Sequence, residues 1–178
     1  MNGISRFGGG LLPLALSALA LSACSSCSTS KAGTSDSKPG AALSGGSRAA
    51  SVHPASGLAV IDLAITHEGK PHMFRVEVAR TGPEQEQGLM FRTAMGADEG
   101  MVFPMEQPRP ASFWMKNTVI PLDIVFVGVD GRILNIAAKA IPYDETPLSS
   151  KGPVKAVLEL NGGRAAALGI GAGDMVKW

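Results

Sequence analysis

From residue 58 onward, apolar and polar positions alternate in short runs with the two-residue period of half-buried strands. Ile61, Leu63 and Ile65 share one face of the first run, and Phe74, Val76 and Val78 share one face of the second. Glu68-Gly69-Lys70-Pro71 interrupts them, so "LAVIDLAITHEGKPHMFRVEVAR" predicts a hairpin. The period changes at "TGPEQEQGLMFR", where Thr81 and Glu84 have the spacing of a capping box and Pro83 falls in the first turn; a short helix is expected to about Met90. Short strands are expected at "GMVFP", "ASFWMK" and "LDIVFVG", and Asp130-Gly131 turns the last of these into "RILNIAAKAI". "PYDETPLSSKGP" reads as a polar loop, "VKAVLELN" as a strand, "GGRAAALG" as a short helix and "DMVKW" as a closing strand. About seven or eight strands with one or two short helices predict a mainly β (α+β) single domain, a β-sandwich or a squat barrel.

The pattern before residue 58 is of another kind. Residues 1–23 carry Arg6 and then the nearly uncharged run "FGGGLLPLALSALALSA", which ends in small residues before Cys24, the layout of a secretory signal. The run is too short and too interrupted by glycine to make a good membrane span. Leu21-Ser22-Ala23-Cys24 resembles the bacterial lipobox, so Cys24 is the expected lipidation site and the new N-terminus; an ordinary cleaved signal with an incidental cysteine is the alternative. Acyl chains contribute about 0.8 kcal/mol per buried CH₂, enough for two or more to anchor a protein firmly. The expectation is a lipid-anchored, periplasm-facing envelope protein, with Ser25 favouring the outer membrane by analogy with sorting in enteric bacteria. Residues 24–57 are rich in Ser, Gly and Ala and poor in branched and aromatic side chains, the composition of a disordered tether. Such a coil reaches roughly 30 Å. The single globular domain is expected over residues 58–178.

Charge and cysteine usage narrow the chemistry. Residues 58–178 hold twelve Lys or Arg against fourteen Asp or Glu, so the domain has no basic signature for nucleic acid and none is expected as a partner. Cys24 and Cys27 are the two cysteines; "CSSC" has redox or half-zinc spacing, but no βαβ pattern and no second pair accompanies it. Nucleophilic triads need a base, and His53, His67 and His72 fall in the tether and around the first hairpin turn. Asp98, Glu99, Asp123 and Glu159 are the carboxylates from which an envelope hydrolase could draw an acid/base pair. Met73, Met90, Met95, Met101, Met105 and Met115, with His72, raise a third class, a Cu(I)-binding protein; the same methionines also suit a core. No cofactor is expected.

"ASFWMKNTVIPLDIVF", residues 111–126, looks like two strands around a tight turn, yet carries Trp114, Lys116, Asn117 and Asp123. Asp123 lies among Leu122, Ile124 and Val125, where a charge is costly unless paired. Two readings stay open. In one, Trp114 is an apolar wall and Lys116, Asn117 and Asp123, joined by Arg92, converge as a ligand cleft. In the other, Lys116 and Asp123 form an internal ion pair across a hairpin and Asn117 completes its turn.

"EQGLMFR", "DEGMVF", "SFWMKNTVIPLDIVFV" and "VLELNGG", in this order, closely resemble the domain of unknown function 192 family of bacteria and archaea, over roughly residues 59–178. The resemblance implies a mainly β, sandwich-like fold with a small helix, often behind a signal or lipoprotein leader, and no established activity. Many relatives carry cysteines in the loop matching residues 142–153, where this chain has none, so no thiol role applies there. The reading that follows is a non-catalytic binding module for a small ligand or an envelope protein, using Arg92, Trp114, Lys116, Asn117 and Asp123.

Overall fold

The computed structural model describes residues 51–178; the expected signal, the lipidation site at Cys24 and most of the expected tether lie outside them. Ten strands and two short helices follow one another as β1 (Ser51–Val52), β2 (Ala59–His67), β3 (Lys70–Val78), α1 (Gly82–Gln87), β4 (Glu99–Arg109), β5 (Ser112–Phe113), β6 (Leu122–Gly128), β7 (Ile133–Ala140), β8 (Leu148–Ser149), β9 (Val154–Asn161), α2 (Arg164–Ala167) and β10 (Met175–Lys177). The mainly β single domain expected from the sequence is what forms, with more and shorter strands than the periodicity suggested.

Eight strands make one mixed sheet in the order β1-β2-β3-β4-β9-β6-β7, with β10 also on β2; β5 and β8 form a separate two-stranded ribbon. The β2–β3 hairpin pairs Leu63 with Phe74 and Ile61 with Val76, so the alternation in the sequence places one apolar row on one face. β3 and β4 are parallel, joined by the crossover that contains α1. The Thr81–Glu84 capping box starts this helix, and the Glu84 carboxyl is held below its ordinary range by the N–H groups of Thr81 and Arg80. It ends at Gln87, earlier than the periodicity implies, because Gly88 turns the chain at φ 46°. The sheet curls until β10 meets the entry to β7: Arg132 bridges to Met175, and the Ile133 and Val176 N–H groups donate to the Asp174 and Gly131 carbonyls at 2.9 and 2.8 Å. That seam spans a few residues and leaves no continuous closed barrel.

Both faces of the sheet are buried. Leu63, Ile65, Phe74, Val76, Val125, Leu158, Leu160 and Val176 fill one side, which α2 covers with Ala165. Met101, Phe103, Ile124, Phe126 and Val157 line the other, covered by Leu89, Ala111 and Met115 with Phe113 packed against them. Each such large side chain, removed from water, contributes about 1.5–3 kcal/mol. β9 is central to this arrangement, with β4 on one side and β6 on the other. Gly100 of β4 lies so close to it that a Cβ would run into the Glu159 carbonyl oxygen.

Residues 51–57, assigned by composition to the tether, belong to the fold. Ser51 and Val52 pair with Val60 and Ala59, the Ser56 hydroxyl bonds the Glu77 carboxylate, and His53 lies 3.6 Å from the same carboxylate. A polar segment is held here by a buried acid that composition alone does not reveal.

Candidate functional site

The second apolar face leaves a gap beside it. Residues Gln85–Met90, from α1 and the turn after it, stand on one side, and Ser112–Trp114 with Lys116–Thr118 stand on the other. Phe103 of β4 and Glu159 of β9 form the floor of the resulting cavity, about 610 Å³, a size typical of small-ligand sites.

The walls are positioned by specific bonds. The Gln85 amide nitrogen donates to the carbonyls of Ala79 and Pro104 at 3.2 and 3.0 Å, clipping α1 to the strands on either side of its crossover. Phe103 and Phe113 meet edge to face at 5.1 Å, and Phe113 meets Phe126 at 6.5 Å. On the opposite wall the Thr118 N–H closes a tight turn onto the Met115 carbonyl, with Asn117 at φ 53°. Phe91 at φ 62° and Tyr143 at φ 63° flank that turn, their N–H groups donating to the Asn117 and Thr118 carbonyls. Left-handed backbone costs a bulky residue of order 1–3 kcal/mol, and such strain gathers at functional sites. Half-exposed Trp114 forms part of the rim, with the Lys116 ammonium 5.5 Å from its ring centroid.

Glu159 is the unusual member. It is 5 % exposed, and its row on the sheet is shared with apolar neighbours, Met101 of β4 and Ile124 of β6 being its register partners. Burial alone pushes its carboxyl up to about 8; no charge or hydrogen bond from another described residue enters the shift. At neutral pH the group is therefore mostly a protonated acid facing a cavity.

The five expected site residues divide. Trp114, Lys116 and Asn117 come together on the cavity wall. Asp123 is elsewhere: β5 pairs with β8 and β6 with β7 and β9, so no hairpin brings Lys116 to it. Fully buried, Asp123 accepts the N–H groups of Lys139, Gly163 and Ala165 at 2.8, 2.8 and 2.9 Å, bracing the end of β7 against the start of α2. Arg92 also turns away, pairing with Glu77 at 2.9 Å and helping to fasten residues 53–56. Of the four carboxylates named from the sequence, Asp98 pairs with Arg164, Glu99 accepts the Gly96 N–H, and Asp123 holds its three amides; Glu159 alone of these faces the cavity. Met101 and Met115 are core residues, Met95 and Met105 pack against the core, and Met73 stands on the surface, so packing accounts for four of the six methionines considered for copper. Among the described residues no group of three His, Cys, Asp or Glu is placed to hold a metal.

Sequence reasoning named Glu159 but did not place it with Trp114. The available signal was a charge within "AVLEL", an almost continuous apolar run of the kind that marks a strand buried on both faces. Gln85 and Phe103 gave no such signal.

Residues 63–178 match the family DUF192, described as "Uncharacterized ACR". The chain belongs to that family. It is similar to a solved protein of unknown function from Novosphingobium aromaticivorans DSM 12444, with 57 % identity and a TM-score of 0.72 over 74 % of this chain and 94 % of that one. A solved protein from Sinorhizobium meliloti 1021, described as a candidate transcription regulator, is 40 % identical with a TM-score of 0.66, covering 67 % of this chain and 94 % of that one. A comparison with curated proteins returns no match.

Proposed function

We propose that this member of the family is a non-catalytic binding module that takes a small ligand into the cavity between α1 and the Trp114–Thr118 turn. The observation that carries this reading is Glu159, a buried carboxyl that lines a cavity of about 610 Å³ and has no hydrogen-bond or charge partner among the described residues. A carboxyl that opens onto a cavity without a described partner is free to pair with a bound molecule that supplies one. Phe103, Phe113 and Trp114 offer apolar surface for the body of that molecule, and the strained turn at Asn117 fixes one wall. In this reading Arg92 and Asp123 are structural. The module works at the bacterial envelope, held to the membrane through lipidated Cys24.

A thermal-shift screen of the full-length protein against amines, organic acids, sugars and peptidoglycan fragments tests the cavity. A ligand at a hundred times its Kd adds about 2.7 kcal/mol, a shift in Tm of several degrees. A hit lost in Trp114→Ala supports the site; a hit retained there places the ligand elsewhere, and no hit from any class removes the reading. Cys24→Ser should abolish incorporation of labelled lipid, and labelling that persists would overturn the anchor.

A further inference from the structure

Which ligand class fits follows from the hydrogen-bonding groups already engaged in the cavity walls. The Gln85 amide nitrogen makes two bonds to backbone carbonyls, the Asn117 amide nitrogen donates to the Met90 sulfur, and the Thr118 hydroxyl donates to the Lys116 carbonyl. These interior donors are in use. The Glu159 carboxyl remains turned to the cavity over a surface of Phe103, Phe113 and Trp114, while the exposed Glu86 carboxylate and Lys116 ammonium stand at the rim. A buried carboxyl among aromatic faces can give up its proton and pair with an ammonium whose apolar body lies on the rings. The Lys116 ammonium already stands beside the Trp114 ring at the mouth, so the ligand's own charge belongs at Glu159 and not at Trp114.

Taking the cavity as the ligand site just proposed, we infer that its ligand is a small organic amine in its protonated form, whose ammonium pairs with the Glu159 carboxylate while its apolar body lies on Phe103, Phe113 and Trp114. The proton balance is simple. The amine enters as an ammonium ion, the Glu159 carboxyl releases its proton to solvent, and an ion pair replaces an acid that has no partner among the described residues. The free carboxyl titrates at about 8, so ionising it at pH 7 carries about a tenfold penalty in affinity. That penalty shrinks about tenfold for each unit of pH until the acid is ionised on its own, and binding tightens in step.

Calorimetric titration of the full-length protein with benzylamine and with the neutral isostere benzyl alcohol, at pH 6, 7 and 8 and in two buffers of different protonation enthalpy, tests this. Benzylamine should bind at least tenfold more tightly than benzyl alcohol at pH 7, tighten about tenfold between pH 6 and 7, and release close to one proton per molecule bound at those two pH values and about half a proton at pH 8. Glu159→Gln should remove the preference for the amine together with its pH dependence. Lys116→Ala, which removes a like charge from the mouth, should strengthen benzylamine binding about twofold to threefold. Equal binding of amine and alcohol, binding without proton release, or a preference that survives Glu159→Gln would each overturn the amine while leaving the cavity as a site. Failure of benzylamine to bind while another class shifts the Tm through Trp114 does the same, and failure of every class removes the site as well.

Discussion

Asp123 and Glu159 are both buried acids on neighbouring strands, β6 and β9, and they meet opposite environments. Asp123 is enclosed by three backbone N–H groups and has become part of the framework. Glu159 sits between apolar neighbours, opens onto a cavity and holds its proton. Burial is therefore no guide to the role of an acid in this protein; the partners are. A carboxylate with three short amide bonds stabilises the fold, whereas one without partners weakens it and is the better marker of a site.

The comparison breaks most sharply at Asp123. Asp123→Ala should leave the Lys139, Gly163 and Ala165 N–H groups without their acceptor and cost about 4 kcal/mol, read as a lower midpoint in urea unfolding. A loss below about 1 kcal/mol would show that these bonds are replaced by water. Arg92→Ala comes next. It removes the guanidinium from the buried Glu77 carboxylate, leaving it Ser56 and His53, and should cost about 3 kcal/mol while leaving ligand uptake in the cavity intact. Loss of uptake with unchanged stability would return Arg92 to the site.

At Glu159 the sign reverses. Its pKa in the folded protein, about 8, lies above the ordinary value of 4.5, so the folded state keeps a proton that the unfolded chain gives up between those values. Stability should thus fall as pH rises through that window, by up to about 1.4 kcal/mol per unit. Glu159→Gln should flatten this part of the profile and be more stable than the parent at pH 8, where the accumulated loss is greatest. A parent whose stability does not decline between pH 5 and 8 would mean that the carboxyl is already solvated or paired. The smallest effect is expected at Lys116, an exposed side chain whose ammonium contacts Trp114. Lys116→Ala should change stability by less than about 0.5 kcal/mol, and a loss of several kcal/mol would restore the internal ion pair considered from the sequence.

Local signals in the sequence were legible where local physics decides the outcome. The β2–β3 hairpin, the Thr81–Glu84 cap and the turn at Asp130-Gly131 each depend on residues a few positions apart, and each is present. Of the residues singled out around "FWMKNT", Trp114, Lys116 and Asn117 line one cavity. The supposed hairpin was not readable, because β5 is two residues long and pairs with β8, far along the chain. The tether's last residues were misjudged for a similar reason: Ser56 and His53 are fixed by Glu77, more than twenty residues away.

By itself, then, the sequence determined the class of the fold and the order of its longer elements, since periodicity, caps and turn residues act over short separations, while its motifs carried the resemblance to a family. Only the tertiary structure decided which acid is a brace and which is a site. The amides that satisfy Asp123 lie 16, 40 and 42 residues away, and the cavity at Glu159 exists because α1 and the Trp114 turn stand apart over a central strand. Desolvation and hydrogen bonding depend on what surrounds a group in space, and identical carboxylates take their opposite roles from that alone.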